Sequence, residues 1–272
     1  MQRLLNIKPR GGGRVIVGLL PILLASLLYL GASAVGRIDG SQASMTPTVG
    51  AMAQSMVDLA RPDPQTGHSP LLSDTVVSIG RIGAGLTIAV AIALLMGLSL
   101  GLLPFKRAAC SPLLRVLSAV PPIALLPILC VAFGLGEATK IALIVLGVTP
   151  FMIRDLAAHI AAIPEEQIVK AQTLGASTWQ TAVRIALPVA LPKLVGTLRA
   201  SLGPAWVLLI AAEALAADGG LGYRIFEAGR SMRMEVIIPY VAWISLLAVA
   251  ADFALARGSR HAFAWAHPVK PR

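Results

Sequence analysis

Few side chains in this chain could do chemistry, and most of them gather in one stretch, Ile163 to Pro192. It reads IPEEQIVKAQTLGASTWQTAVRIALPVALP, with charges, amides, a central glycine and two Leu-Pro steps, between apolar runs on both sides. Polar groups left unpaired in hydrocarbon cost several kcal/mol each, so a stretch of this kind lies outside the lipid. Residue pattern predicts one short helix over 165–174 and a second over 178–186. Gly175 breaks them, because glycine turns a chain there without a Cβ penalty. Pro188 is expected to start the next helix, where its missing N–H does no harm. Bond-making devices are absent from the sequence: no GxxxxGK[ST] loop, no HExxH, no paired-cysteine motif and no serine elbow. His159, His261 and His267 are scattered. Cys110 and Cys130 read as small buried or interfacial residues. What this stretch can do is make contacts and carry force.

The elements that position it are apolar. The chain is 56% hydrophobic and 13% charged, against about 25% charged for a soluble domain. This is the composition of an all-α integral membrane protein. A net charge of +10 could suggest nucleic acid. The basic residues instead sit in short clusters between apolar runs, and no basic-aromatic groove pattern is present, so no nucleic-acid partner is expected.

Six apolar runs are long enough to cross a core of about 30 Å. The first is 15–35, behind a basic leader, 1–14. It is read as an uncleaved span, because secretory apolar cores are shorter, although Ala32-Ser33-Ala34 could be a cleavage site. A polar extracytoplasmic segment, 36–78, follows, with a helix expected over 44–59 from the spacing of Met45, Val49, Met52, Met56 and Leu59. A core at 79–256 holds the other five runs, 82–103, 117–133, 140–158, 189–217 and 236–256, and contains the polar loop, 163–188. In the first of these five, Gly85, Ala89, Ala93, Gly97 and Gly101 form a small-residue stripe that lets a neighbouring backbone come close. Most of the 23 basic residues fall on the side of the 163–188 loop and the 257–272 tail. The positive-inside rule therefore puts both termini in the cytoplasm.

Several residues inside or beside the spans stand out. Ser118, Pro121 and Pro122 open the 117–133 run, where freed carbonyls and a bend fit either a lined path or a simple kink. Trp206 and Glu213 lie in the fifth run. An acid in a span is a functional candidate, either structural or gating, or in contact with cargo. Arg224, Arg230 and Arg233 sit in the outer segment that follows.

Gly175, then Ile185, then Leu187-Pro188 resembles the coupling-loop signature of membrane subunits of binding-protein-dependent ABC importers. That signature is Glu-Ala-Ala, three residues, Gly, nine residues, Ile, one residue, Leu-Pro. At its first part this chain has Val169-Lys170-Ala171 and keeps only the second alanine. Ala190-Leu191-Pro192, Gly196 and Leu198-Arg199 are also similar. The run to Phe133-Gly134-Leu135-Gly136-Glu137 and the Trp265-x-His267-Pro268 tail resemble the nitrate, sulfonate and taurine permeases.

The resemblance implies a six-transmembrane-helix ABC importer permease of type I (MetI-like), with cytoplasmic coupling helices, in a bacterial inner membrane. It implies that Ala171, Leu174 and Ala176 fill a socket in a cytoplasmic ATPase, with Glu165, Glu166 and Lys170 at its rim. Gly175, Ser177, Ile185 and Pro188 would shape the knob. It implies a path past Ser118, Pro121, Pro122, Trp206 and Glu213, and a solute-binding protein docking at Arg224, Arg230 and Arg233. Partners would be a second permease copy, two ATPase subunits that hold ATP and magnesium, the solute-binding protein and lipid. This chain would bind no cofactor or metal and would not be an enzyme. Cargo would be a small organic or inorganic anion. Two other classes remain: a secondary transporter or channel, and a scaffold recruiting an ATPase for export or envelope assembly.

Overall fold

A computed structural model describes residues 47–62 and 67–266 and most of 17–31. The leader, much of the first run, 32–46, 63–66 and the end of the tail lie outside the described residues. Every regular element among the described residues is helical. Four helices are long and apolar enough to cross a membrane, and a fifth crossing arises if one bent pair is counted as a span. Part of the first run, Leu19–Gly31, is also apolar helix.

The segment 36–78, expected to lie outside the membrane, carries α1 (Val49–Ala60). Its start is fixed by Thr48, whose Oγ1 accepts from the Ala51 N–H at 3.0 Å. Met56 and Leu59 of the expected stripe turn toward the core. The next helix, α2 (Pro70–Leu102), begins well before the expected span, because Ser69 caps it and Pro70 pre-sets the first turn.

The small-residue stripe explains how α2 meets α5 (Glu137–Ala161). A Cβ on Gly85 would lie 2.8 Å from Ile144, one on Gly97 2.8 Å from Leu156, and one on Gly101 2.6 Å from Ile160. Ala89 and Ala93 between them are fully buried. The contact numbers rise together, so α2 and α5 run parallel. The chain between them must therefore return across the bundle.

That return is the bent pair. It consists of α3 (Pro104–Ala119), a 3-10 turn (Pro122–Leu125) and α4 (Leu126–Phe133). The two arms meet at 87°. The sequence placed one span at 117–133; instead the bend falls at Pro121-Pro122, where two successive residues have no N–H to continue a helix. Much of α3 occupies what was expected to be a loop.

After α5 come α6 (Glu165–Thr173) and α7 (Thr178–Ala216). α7 opens with one α turn, passes through a π turn (Ala182–Ala186) and continues as a long helix. The expected separate helix ending at 186 is thus the first part of α7. Pro188 cannot donate to the preceding turn, and the wider turn closes just ahead of it, with the Leu187 N–H bonding to the Ala182 carbonyl. Next comes α8 (Leu221–Arg230), in what was read as an outer loop, and then α9 (Met234–Ala262).

Candidate functional site

The knob at 163–188 is built from local rules. Glu165 and Glu166 occupy the first turn of α6 and Lys170 its last, each sign matching the helix dipole. At the break Gly175 has φ +79°, a left-handed conformation that favours glycine. Its N–H bonds to the Gln172 carbonyl and the Ala176 N–H to the Ala171 carbonyl, both at 2.9 Å. This is a Schellman close, which satisfies carbonyls that α6 would otherwise leave open. Two residues on, Ser177 and Gln180 form a capping box: the Gln180 N–H bonds to Ser177 Oγ at 3.2 Å and the Ser177 N–H to Gln180 Oε1 at 2.8 Å. The corner is therefore closed on both sides.

Its tip is apolar and uncovered. Leu174 is 88% exposed and Trp179 75%. Glu165, Glu166, Lys170 and Gly175 are exposed as well, Ala171, Ala176 and Ile185 are half-buried, and Pro188 is exposed. Ala171, Leu174, Gly175, Ala176 and Ser177 thus fall at the corner, Glu165, Glu166 and Lys170 lie on α6 before it, and Ile185 and Pro188 lie beyond it at the π turn. Trp179 is a tip residue that sequence reasoning missed; a tryptophan beside a helix cap, in a stretch already placed outside lipid, was the available signal.

A second constellation sits at the opposite end of the bundle. Glu213 on α7 has no exposed surface. Its Oε1 accepts from Ser78 Oγ at 2.7 Å and Arg81 Nη1 at 2.8 Å, and its Oε2 from the Gly222 N–H at 2.8 Å. Arg81 also donates from Nε and Nη2 to Glu137 at 2.6 Å each, and Lys140 Nζ donates to the same carboxylate at 2.8 Å. Asp74 joins from α2: it accepts from the Gly220 N–H at 3.2 Å, Arg224 Nε at 3.0 Å and Tyr240 Oη at 3.2 Å. Three cations (Arg81, Lys140, Arg224) thus face four carboxylates: Asp74, Glu137, Glu213 and Glu227, which accepts from Arg224 Nη1 at 3.0 Å. Burial works against the Arg224 charge, but Asp74 outweighs it and holds the guanidinium above its ordinary range.

This cluster ties α2, α5, α7, α8 and α9 at one level. The glycines before α8 make it possible. A Cβ on Gly220, at φ +122°, would lie 2.5 Å from Glu213 Oε1 and 2.7 Å from Arg81 Nη1. Glu213 is therefore fully engaged within the bundle. Arg224 is engaged too, while Arg230 and Arg233 are exposed.

The remaining path candidates are dispersed. Ser118 is exposed, and its Oγ donates to the Leu114 carbonyl at 2.7 Å. Pro121 is exposed and Pro122 half-buried at the bend. Trp206 is buried on α7, beside an apolar cavity of about 500 Å³ walled by α2 and α9. Its Nε1 has no hydrogen-bond partner among the described residues. Cys110 and Cys130 are free and half-buried.

Apolar helices long enough to cross a membrane, a closed corner at one end and a buried charge clasp at the other define a polytopic helical membrane protein. Comparison with known proteins gives the family. Residues 82–260 match the family described as binding-protein-dependent transport system inner membrane component, and the chain belongs to it. It is 34% identical over 188 residues to the taurine transport system permease protein TauC of Escherichia coli, covering 69% of this chain and 68% of that one. It is 32% identical over 179 residues to the nitrate import permease protein NrtB of Synechococcus elongatus, covering 63% of each. Among solved structures, an inward-facing form of the MetNI methionine ABC transporter shares the fold, with a TM-score of 0.57 at 23% identity over 68% of this chain and 94% of that one.

Proposed function

We propose that this chain is the membrane subunit of an ATP-driven importer, passing a small anion across a bacterial inner membrane by alternating access. The observation that carries the reading is the closed corner at 171–180 with Leu174 and Trp179 bare at its tip, in a chain of this family. Two large apolar side chains bare together at a corner outside the lipid suit a surface that a partner covers, and a locked corner passes on a push that a loose loop would absorb.

In this reading Ala171, Leu174 and Ala176 seat in an ATPase subunit, with Glu165, Glu166 and Lys170 at the rim. Gly175, Ser177, Ile185 and Pro188 hold the knob's shape. Two ATPase subunits carry ATP and magnesium, so hydrolysis is theirs and this chain is not itself an enzyme. Two copies of the permease enclose the path, in which the bend at Ser118, Pro121 and Pro122 and the Trp206 wall of α7 take part. Arg230 and Arg233 face a solute-binding protein, with Arg224 serving the clasp instead. The leader at 1–14, the knob and the 257–272 tail are cytoplasmic; the first span is 15–35, the segment 36–78 is outside, and the core is 79–256. Relatives named for taurine, nitrate and bicarbonate support a small anion as cargo.

The test is co-purification and uptake. The intact complex is expected to carry an ATPase pair, and Leu174→Asp is expected to lose that pair and ATP-driven uptake while the permease still inserts. Uptake at the unaltered rate with Leu174→Asp would remove the coupling role of the knob.

A further inference from the structure

We infer that the groove between α3 and α5 at the knob end of the bundle is a binding site for the headgroup of an anionic phospholipid. The groove has a volume of about 490 Å³ and three arginines on its walls, Arg107 and Arg115 from α3 and Arg154 from α5. The end of α2 contributes Leu100.

Arg107 is fixed in place. Its Nε donates to the Leu100 carbonyl at 2.8 Å and its Nη2 to the Gly101 carbonyl, so it closes the C-terminus of α2. That uses two of its five N–H donors. Arg115 and Arg154 make no hydrogen bond or ion pair among the described residues, and both are exposed. The one carboxylate on the groove wall is Asp155. It is already matched, by Lys193 Nζ at 2.9 Å and by the Thr197 hydroxyl. The groove therefore presents unopposed positive charge.

Apart from Ser111, whose hydroxyl donates to the Arg107 carbonyl, its other walls are apolar, among them Leu114, Phe151 and Ala158. Outside it, α3 leaves Leu113, Val116 and Leu117 at least 45% exposed. A ligand that satisfies both features carries an anionic group and a hydrocarbon tail. The level agrees, because Leu100 and Arg154 lie near the ends of the crossing helices Pro70–Leu102 and Glu137–Ala161. Basic pockets between crossing helices at that level suit phosphodiester headgroups. A free anion would match the arginines and leave the apolar walls wet.

The experiment is native mass spectrometry of the full chain, purified in detergent and offered phosphatidylglycerol and phosphatidylcholine with identical acyl chains. The unaltered protein is expected to retain phosphatidylglycerol in preference. The double variant Arg115→Gln/Arg154→Gln is expected to bind it about thirtyfold more weakly, with phosphatidylcholine unchanged. Ala158→Phe, which fills the groove and removes no charge, should lose the same lipid. Lys106→Gln, an exposed lysine that does not line the groove, should keep it. Variants are compared only where they elute as the unaltered protein does. Equal retention of the two lipids, or retention by both the double variant and Ala158→Phe, overturns the inference. Displacement of the lipid by millimolar inorganic phosphate overturns it too, by showing a site for a soluble anion.

Discussion

Replacing Glu213 by glutamine removes one charge and almost no volume, so it isolates what the buried clasp contributes. In the structure each Glu213 oxygen has a donor opposite it: Ser78 and Arg81 on Oε1, and the Gly222 N–H on Oε2. A glutamine can keep its carbonyl toward Arg81 and then presents an N–H₂ to the Gly222 N–H, donor against donor. Turning the amide over moves the same conflict onto Arg81. Either way Arg81 also loses one of the two carboxylates that face it. Breaking a buried pair from one side costs about 3–5 kcal/mol. The comparison is Asp58→Asn, which breaks a 3.6 Å pair with Arg61 whose side chains are 56% and 68% exposed; exposed pairs are worth about 0–1 kcal/mol. Thermal unfolding of the purified full chain in one detergent, followed by the surviving monodisperse fraction, should place Glu213→Gln far below the unaltered protein and Asp58→Asn beside it. If the two variants unfold together, the clasp is not holding these ends of the helices.

Three other outcomes follow from the same geometry. Gly220→Ala should destabilise by about 2 kcal/mol or more, and by less when added to Glu213→Ala, which removes the Cδ and Oε1 atoms that its Cβ would strike; additive effects would contradict the contact. On α2, Gly101→Ala should lower the unfolding temperature through Ile160, whereas Gly83→Ala, with nothing within 4 Å of its Cβ, should leave it level or raise it, since alanine gains about 1 kcal/mol over glycine in a helix. At the corner, Gly175→Asn should retain ATPase subunits in a pull-down, because asparagine tolerates positive φ, while Gly175→Val, at a cost of about 1–2 kcal/mol, should retain several-fold less; equal retention would mean that the corner need not be preformed.

How much of this could be read beforehand differs from element to element. The glycine corner was legible because its cause is local: a residue free of Cβ, closely followed by a serine cap. The α2 stripe was legible because small residues four apart can only share one helix face. The bend was not placed correctly. Pro121-Pro122 was noticed, yet apolar content on both sides of it looks the same whether the chain runs straight or turns through 87°. The continuity of α7 was hidden by Pro188, since a proline reads as a boundary and the π turn that absorbs it leaves no mark in composition. The clasp was least visible. Arg224 looked like a charge facing outward because its buried partner, Asp74, lies 150 residues away along the chain, and a pairing that distant is set by helix packing.

The unbroken course of α7 has a mechanical consequence. Its 39 residues make a rod of about 58 Å at about 1.5 Å per residue, with a surface corner at one tip and a buried carboxylate near the other. Tilting such a rod by about 10° about either tip sweeps the far one through about 10 Å, several times the length of a hydrogen bond. Moved as one body past its internal Pro192 and Pro204, such a rod would bring a displacement at Trp179 to the level of Glu213 as leverage, with the grip around that carboxylate as its pivot.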